Sequence, residues 1–266
     1  MFENIPPVPH IEDVFERGMS KGKRKSTQPR NQVMIAAKHI EAQCRHVVRA
    51  FPSMESLDEF TEQMLRLQFS IDDIKQSLGT VSYVGKTAIR TARATPKIGS
   101  FVGRMSGVVE KAQPAFRMLA DLRREFRKLP SLLDTMRVAL VGYPNTGKTS
   151  LLADITGANP DIQSYSFTTK YVNAGTLESP YGMIQLLDTP GVLVRDKKND
   201  IERRAFITSR YAAHETVVVA QDLFEERDHD KVVEAFTYRR TNPIVYRGDT
   251  ATLKKELIRR LKLFQL

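Results

Sequence analysis

The chain has 266 residues, 41% hydrophobic and 27% charged, enough to bury a core in one large or two ordinary domains. Its single cysteine, Cys44, excludes an internal disulfide framework and suits a reducing, cytoplasmic setting. There is no 18-residue apolar run, so no membrane span is expected, and Glu3, Pro6, Pro7 and Pro9 do not read as a secretory signal. The formal charge of +10 lies mainly in the first half, where residues 1–134 hold 22 Lys/Arg against 15 Asp/Glu and residues 135–266 hold 19 against 16. Such a basic half suits an anionic partner, nucleic acid first, and equally a solvated surface.

Residues 1–32 read as loosely ordered, with a short helix expected from Ile11 to Met19. The run Lys21-Gly22-Lys23-Arg24-Lys25-Ser26 has no apolar anchor and reads as solvated chain or as a set of phosphate contacts. A helix is expected from Asn31 to Ala50, closed by Phe51-Pro52.

Leu57, Phe60, Met64, Leu67, Ile71, Ile74, Leu78 and Val81 alternate spacings of three and four. That pattern is a bundle seam, with Ser56 and Glu59 as a candidate capping box. Tyr83 to Thr95 reads as a further helix. A second seam follows at Met105, Val108, Ala112, Ala115, Leu119, Leu122, Phe126 and Leu129, with a break expected near Gln113 because of Pro114. His39 and His46 lack metal-ligand company and read as ordinary helix residues. The first half is therefore expected to be an all-α bundle of long antiparallel helices.

The second half opens with an apolar strand, Arg137 to Val141. Gly142-Tyr143-Pro144-Asn145-Thr146-Gly147-Lys148-Thr149 then fits G-x-x-x-x-G-K-[ST] at every fixed position, and Ser150 to Ile155 reads as a helix start. In this setting Gly142 and Gly147 let several N–H groups face one anion, and the helix N-terminus adds partial positive charge. Lys148 can reach outer phosphates, and Thr149 can place a hydroxyl on Mg²⁺. The loop Pro160 to Lys170 carries Thr168 and Thr169, of which one can act as a switch ligand to Mg²⁺.

Two strands follow, Tyr171 to Leu177 and Gly182 to Leu187, the second running into Asp188-Thr189-Pro190-Gly191. Asp188 can hold Mg²⁺ through water, and Gly191 can offer its N–H to a terminal phosphate. P-loop plus D-x-x-G points to the GTPase branch of P-loop proteins. Val192 stands where a water-orienting glutamine is found in Ras-type enzymes, so hydrolysis is expected to be slow. Asn145 is a candidate K⁺ ligand.

After a helix from Ile201 and a strand from Thr216 to Ala220, Asn242 to Asp249 reads as strand then loop, followed by a helix from Leu253 to Leu263. This is where N-K-x-D belongs, and the register places Tyr246, Arg247, Gly248 and Asp249 there. Asp249 can read guanine and Arg247 can stack on the base, or Asp249 caps the helix that follows.

Together these residues resemble the NOG1 family of nucleolar and archaeal GTPases, within the OBG-like group. The resemblance rests on Phe51-Pro52-Ser53, Leu78-Gly79, Val102-Gly103-Arg104 and Leu129-Pro130 in the first half. In the second it rests on the P-loop, Tyr165 to Lys170, Asp188 to Gly191 and Asn199-Asp200-Ile201-Glu202-Arg203. It implies an N-terminal helical domain, a GTPase domain, Thr169 as the switch threonine and a role in assembling the large ribosomal subunit with rRNA contacts through the basic helices. The family's Ser-Ala base loop and a sixth strand are not found before Leu266.

The expected fold is α + α/β: a basic helical bundle over 1–134, then a doubly wound P-loop GTPase domain over 135–266, shortened at its C-terminus. The expected function is that of a monomeric GTP-binding assembly factor with slow GTPase activity, meeting GTP/GDP, Mg²⁺, large-subunit rRNA and the pre-ribosomal particle, and no membrane. A ribosome-assembly module with a weak nucleotide site and an ATP-selective P-loop protein are the alternatives.

Overall fold

The computed structural model describes residues 5–157, 172–194, 198–220, 226–237 and 243–265. Five helices come first: α1 (Ile11–Lys25), α2 (Pro29–Ala50), α3 (Glu59–Leu65), α4 (Ile71–Ala94) and α5 (Ile98–Phe126). The remaining elements are β1 (Met136–Val141), α6 (Lys148–Thr156), β2 (Asn173–Ser179), β3 (Gly182–Asp188), α7 (Asp200–Ile207), β4 (Glu215–Val219), α8 (Glu226–Phe236), β5 (Ile244–Tyr246) and α9 (Thr250–Phe264). The chain divides into two compact units, one of residues 1–58 and 68–127, the other of residues 59–67 and 128–266.

The first unit is a bundle of α1, α2, α4 and α5, as the seams predict. Its core is built from Val14, Val33, Ile40, Ile74, Val81, Phe101, Leu119, Leu122 and Phe126, all nearly or fully buried. The helix expected from Ile11 to Met19 continues to Lys25, so the basic run is not loosely ordered: Lys23-Arg24-Lys25 forms the last turn of α1, where cations suit the helix dipole. Ile11, Val14, Gly18 and Gly22 form the buried face of α1, and a Cβ on Gly22 would meet the Gln32 carbonyl oxygen at 2.4 Å. Glycine closes this helix pair, and glycine is invisible to a search for apolar side chains.

Two further expectations are corrected. Pro114 does not break α5, which runs through it over 29 residues. Pro114 is exposed, while Val109, Ala112, Phe116 and Leu119 on either side are buried and hold both halves of the helix on one seam. Tyr83 to Thr95 is the second half of α4 and not a separate helix, because Gly79 passes without interruption.

The seam read from Leu57 to Val81 is likewise two elements in different units. In the second unit, Phe60 and Met64 of α3 pack with Val172, Leu187 and Ala212. In the first, Ser70 takes an extended conformation and α4 begins after it. Ser56 forms no capping box; it lies in a 3-10 turn, and its hydroxyl donates to the Ser53 carbonyl at 2.8 Å.

The second unit is a five-stranded sheet in the order β2-β3-β1-β4-β5, antiparallel only at β2–β3. Leu151, Leu152 and Ile155 of α6 and Leu253, Leu257 and Leu261 of α9 bury one face of the sheet. Ala205 of α7 with Val232 and Phe236 of α8 bury the other. Helices on both faces make the sheet doubly wound, as expected, and the crossovers turn in opposite directions on either side of β1. No sixth strand is found among the described residues.

Candidate phosphate-binding site

β1 pairs in parallel with β3 and β4, so Gly142 emerges between the ends of both. Its φ is +153°, and a Cβ there would stand 2.7 Å from the Val219 carbonyl oxygen at the end of β4. A larger residue would push the strand ends apart. Asn145 takes φ +64° and Gly147 +80°, and the loop curls into α6 at Lys148. A non-glycine residue held in the left-handed region is uncommon, and asparagine tolerates it best.

The functional side chains are buried by this turn. The Thr146 hydroxyl donates to the Tyr143 carbonyl at 2.9 Å. The Lys148 ammonium donates to the Tyr143 carbonyl at 2.6 Å and to that of Gly142 at 3.3 Å. Lys148 is only 6% exposed, and burial pushes its amine down to about 8, with the Asp188 carboxylate opposing the shift. The lysine therefore still carries its charge at neutral pH inside the cradle.

β3 delivers the second motif. Register pairs Leu140 with Asp188, so the aspartate arrives beside the loop. Asp188 is fully buried, and its Oδ2 accepts the Thr149 hydroxyl at 2.7 Å. Two hard oxygen donors at the mouth of a phosphate cradle fit Mg²⁺, which takes few protein ligands and completes its shell with phosphate and water. Among the described residues no three His, Cys, Asp or Glu gather into a metal site of their own.

The D-x-x-G segment is tied down along its length. Thr189 gives both its N–H, at 3.3 Å, and its hydroxyl, at 2.8 Å, to the Leu140 carbonyl. Gly191 lies flat against the loop, where a Cβ would meet the Pro144 nitrogen at 2.6 Å. The Val192 N–H donates to the Gly142 carbonyl at 3.0 Å. The structure thus brings Gly142 to Thr149 together with Asp188, Thr189, Pro190 and Gly191, while Ser150 stands exposed in the first turn of α6.

Val192 is not a degraded site residue. It is fully buried and packs with Tyr143 and Val218 beneath the loop. Tyr246 is also core, 5% exposed, with its hydroxyl 3.0 Å from Thr250 Oγ1. Arg247 and Asp249 lie beyond β5, two strands from β1, and both are exposed. Asp249 caps α9: Oδ1 accepts the Thr252 N–H at 3.0 Å and Oδ2 the Thr252 hydroxyl at 2.5 Å. These bonds hold its carboxyl below the usual aspartate range. Thr168 and Thr169, with the rest of the loop from Pro160, lie outside the described residues.

One residue beside the site was quoted in the sequence reading but given no structural role there. Glu202 of α7 is 3% exposed and accepts backbone N–H groups from Leu193 at 3.1 Å and Asn199 at 3.0 Å. Its signal was present as a capping box, since Asn199 in turn accepts the Glu202 N–H.

Comparison with known proteins covers both units. The NOG1 N-terminal helical domain matches residues 2–133, and the 50S ribosome-binding GTPase domain matches residues 137–247. An uncharacterized protein of Methanocaldococcus jannaschii is 29% identical over 80% of this chain and 69% of its own length. A nucleolar GTP-binding protein 1 of Dictyostelium discoideum, named as probable, is 27% identical over 84% of this chain and 38% of its own. Among solved structures, the G domain of the T. maritima FeoB iron transporter matches 50% of this chain and 99% of its own at 22% identity, with a TM-score of 0.37. The chain therefore spans about two-fifths of the Dictyostelium relative.

Proposed function

Because this chain belongs to the NOG1 family, with its N-terminal helical domain ahead of a P-loop GTPase domain, we propose that it is a guanine-nucleotide-binding assembly factor of the large ribosomal subunit. The observation that carries the reading is the junction of the two phosphate motifs, with Thr149 on Asp188 and Gly191 against Pro144. The loop amides and Lys148 would bind the phosphates, and Thr149 and Asp188, with Thr169, would hold Mg²⁺. When bound, the metal neutralises charge on the phosphate oxygens. Gly191 would direct its N–H to the terminal phosphate, and Asn145 would be the ligand for a K⁺ ion.

Base recognition falls to Arg247 and Asp249. A carboxylate has about four acceptor sites, so the two bonds to Thr252 leave room for the two N–H groups of guanine. Hydrolysis is slow and partner-stimulated in this reading, because Val192 is committed to the core and offers nothing to orient water.

The helical domain, placed at 1–134 with the GTPase domain at 135–266, would dock on rRNA in a cytoplasmic pre-ribosomal particle, as a monomer. Exposed Tyr83 and Arg90 of α4 stand near Lys111 of α5; hydrogen bonds from Thr87 and then Arg90, with charge from Lys111, lower the Tyr83 phenol. An exposed aromatic ring among cations is a surface suited to RNA backbone and base stacking.

The test is a titration of labelled GDP, GTP and ADP with Mg²⁺. Micromolar guanine binding, lost in Lys148→Ala, supports the proposal. Absence of binding favours an assembly module with a degenerate site, and preference for ADP favours an ATP-selective protein.

A further inference from the structure

Glu202 has no part in holding phosphate, metal or base, yet it is among the most deeply buried carboxylates of the described residues. Its two oxygens divide between two chain segments. Oε1 takes the N–H of Leu193, two residues after Gly191, and Oε2 takes the N–H of Asn199 at the start of α7. The preceding amide, Val192 N–H, is taken by the P-loop carbonyl of Gly142. Two successive amides after Gly191 are therefore anchored in opposite directions, one to the loop and one to α7.

The backbone between these anchors and the next residue is not at rest. Val194 has φ +45°, a left-handed conformation that a β-branched side chain rarely adopts. Local preference would not choose it. Among the described residues, the Leu193–Glu202 hydrogen bond fixes the backbone immediately before the strained residue. In this arrangement Gly191 is pressed on Pro144, with no room for even a Cβ between them.

We propose that Glu202 is a positioning residue: its carboxylate clamps Leu193 to α7, seats Gly191 against the P-loop and so couples the terminal phosphate of the nucleotide to helix α7. The inference rests on the guanine-nucleotide reading above. It makes the clamp matter for a triphosphate, whose outermost group would meet the Gly191 N–H, and not for a diphosphate, which lacks that group. The partner that senses the nucleotide state would then read α7.

The test uses the full chain with Mg²⁺ and two probes, GDP and a non-hydrolysable GTP analogue. Glu202→Gln keeps the shape of the side chain but gives up its charge and one of two acceptor oxygens. The ratio of analogue to GDP affinity is expected to fall about tenfold, with GDP affinity within about twofold of wild type. Asn199→Ala removes the helix cap and leaves the Leu193 contact, so its ratio is expected to stay at the wild-type value. In the wild type, amide exchange at Leu193 and the first turn of α7 should be slower with the analogue than with GDP.

An unchanged ratio in Glu202→Gln overturns the clamp, as does an equal fall in Asn199→Ala, which would make α7 stability the cause. If Glu202→Gln does not fold, the wild-type exchange measurement decides, and equal protection in both nucleotides overturns the proposal. A wild type that binds neither probe removes the nucleotide reading and the clamp together. One that binds both with an unaltered ratio in the variant removes the clamp alone.

Discussion

The hydroxyl of Thr149 donates to Oδ2 of Asp188 at 2.7 Å, joining the first turn of α6 to the end of β3. The residues stand 39 apart in the chain, and parallel pairing of β1 with β3 is what brings them together. Removing either oxygen should abolish the metal's hold without disturbing the loop amides. In Thr149→Ala and Asp188→Asn, nucleotide affinity should lose most of its Mg²⁺ dependence, falling at least about tenfold in saturating Mg²⁺. Titration with and without EDTA reads this directly.

Lys148 carries a cost in the fold. Its amine is pushed down to about 8 by burial, so between about 8 and the ordinary lysine value of 10.5 the unfolded chain binds the extra proton. Stability is therefore expected to rise with pH across that window, and nucleotide affinity to fall as the charge is lost. Lys148→Met should bind no nucleotide and yet be more stable than wild type, by about 1–2 kcal/mol at neutral pH. Thermal melts at several pH values check both signs.

Val192→Gln should not restore catalysis. The side chain would enter the core beside Tyr143 and Val218 and not the phosphate mouth. The expected result is a loss of about 2 kcal/mol from an amide buried without partners, and turnover no faster than wild type. A denaturant melt and a single-turnover GTP assay together settle it.

Asp249→Ala separates two roles. Loss of the cap on α9 should lower stability measurably. If the remaining acceptor sites read guanine, the preference for GDP over ADP should narrow as well. A stability loss with an unchanged preference leaves Asp249 as a helix cap alone.

For the helical domain, Arg90→Ala and Lys111→Ala should each weaken binding to large-subunit rRNA and reduce its salt dependence by about one ion. Binding that is insensitive to salt, or unaltered in both variants, would move the RNA surface elsewhere or remove it.

Short-range patterns carried much of this protein. The P-loop, the D-x-x-G motif, all five strands and the seams of α4 and α5 are local spacings, and periodicity reports them faithfully. Periodicity could not say that Leu57 to Val81 is interrupted at Ser70, because spacings of three and four continue across a break. It also stopped α1 at Met19, because the buried face beyond that point is glycine. Proline suggested a break in α5 that buried neighbours on both sides prevent.

By itself the sequence determined that one half is helical and basic and that the other presents glycines, a lysine, a threonine and an aspartate in an order suited to phosphate and Mg²⁺. Those are properties of neighbours along the chain. Only the tertiary structure decided that Val192 and Tyr246 belong to the core, that Asp249 caps α9, that α3 packs in the second unit and that Glu202 reaches back to Leu193. Each of these depends on which way a side chain faces once the strands have paired, a quantity that parallel pairing over tens of residues creates and that no local spacing contains.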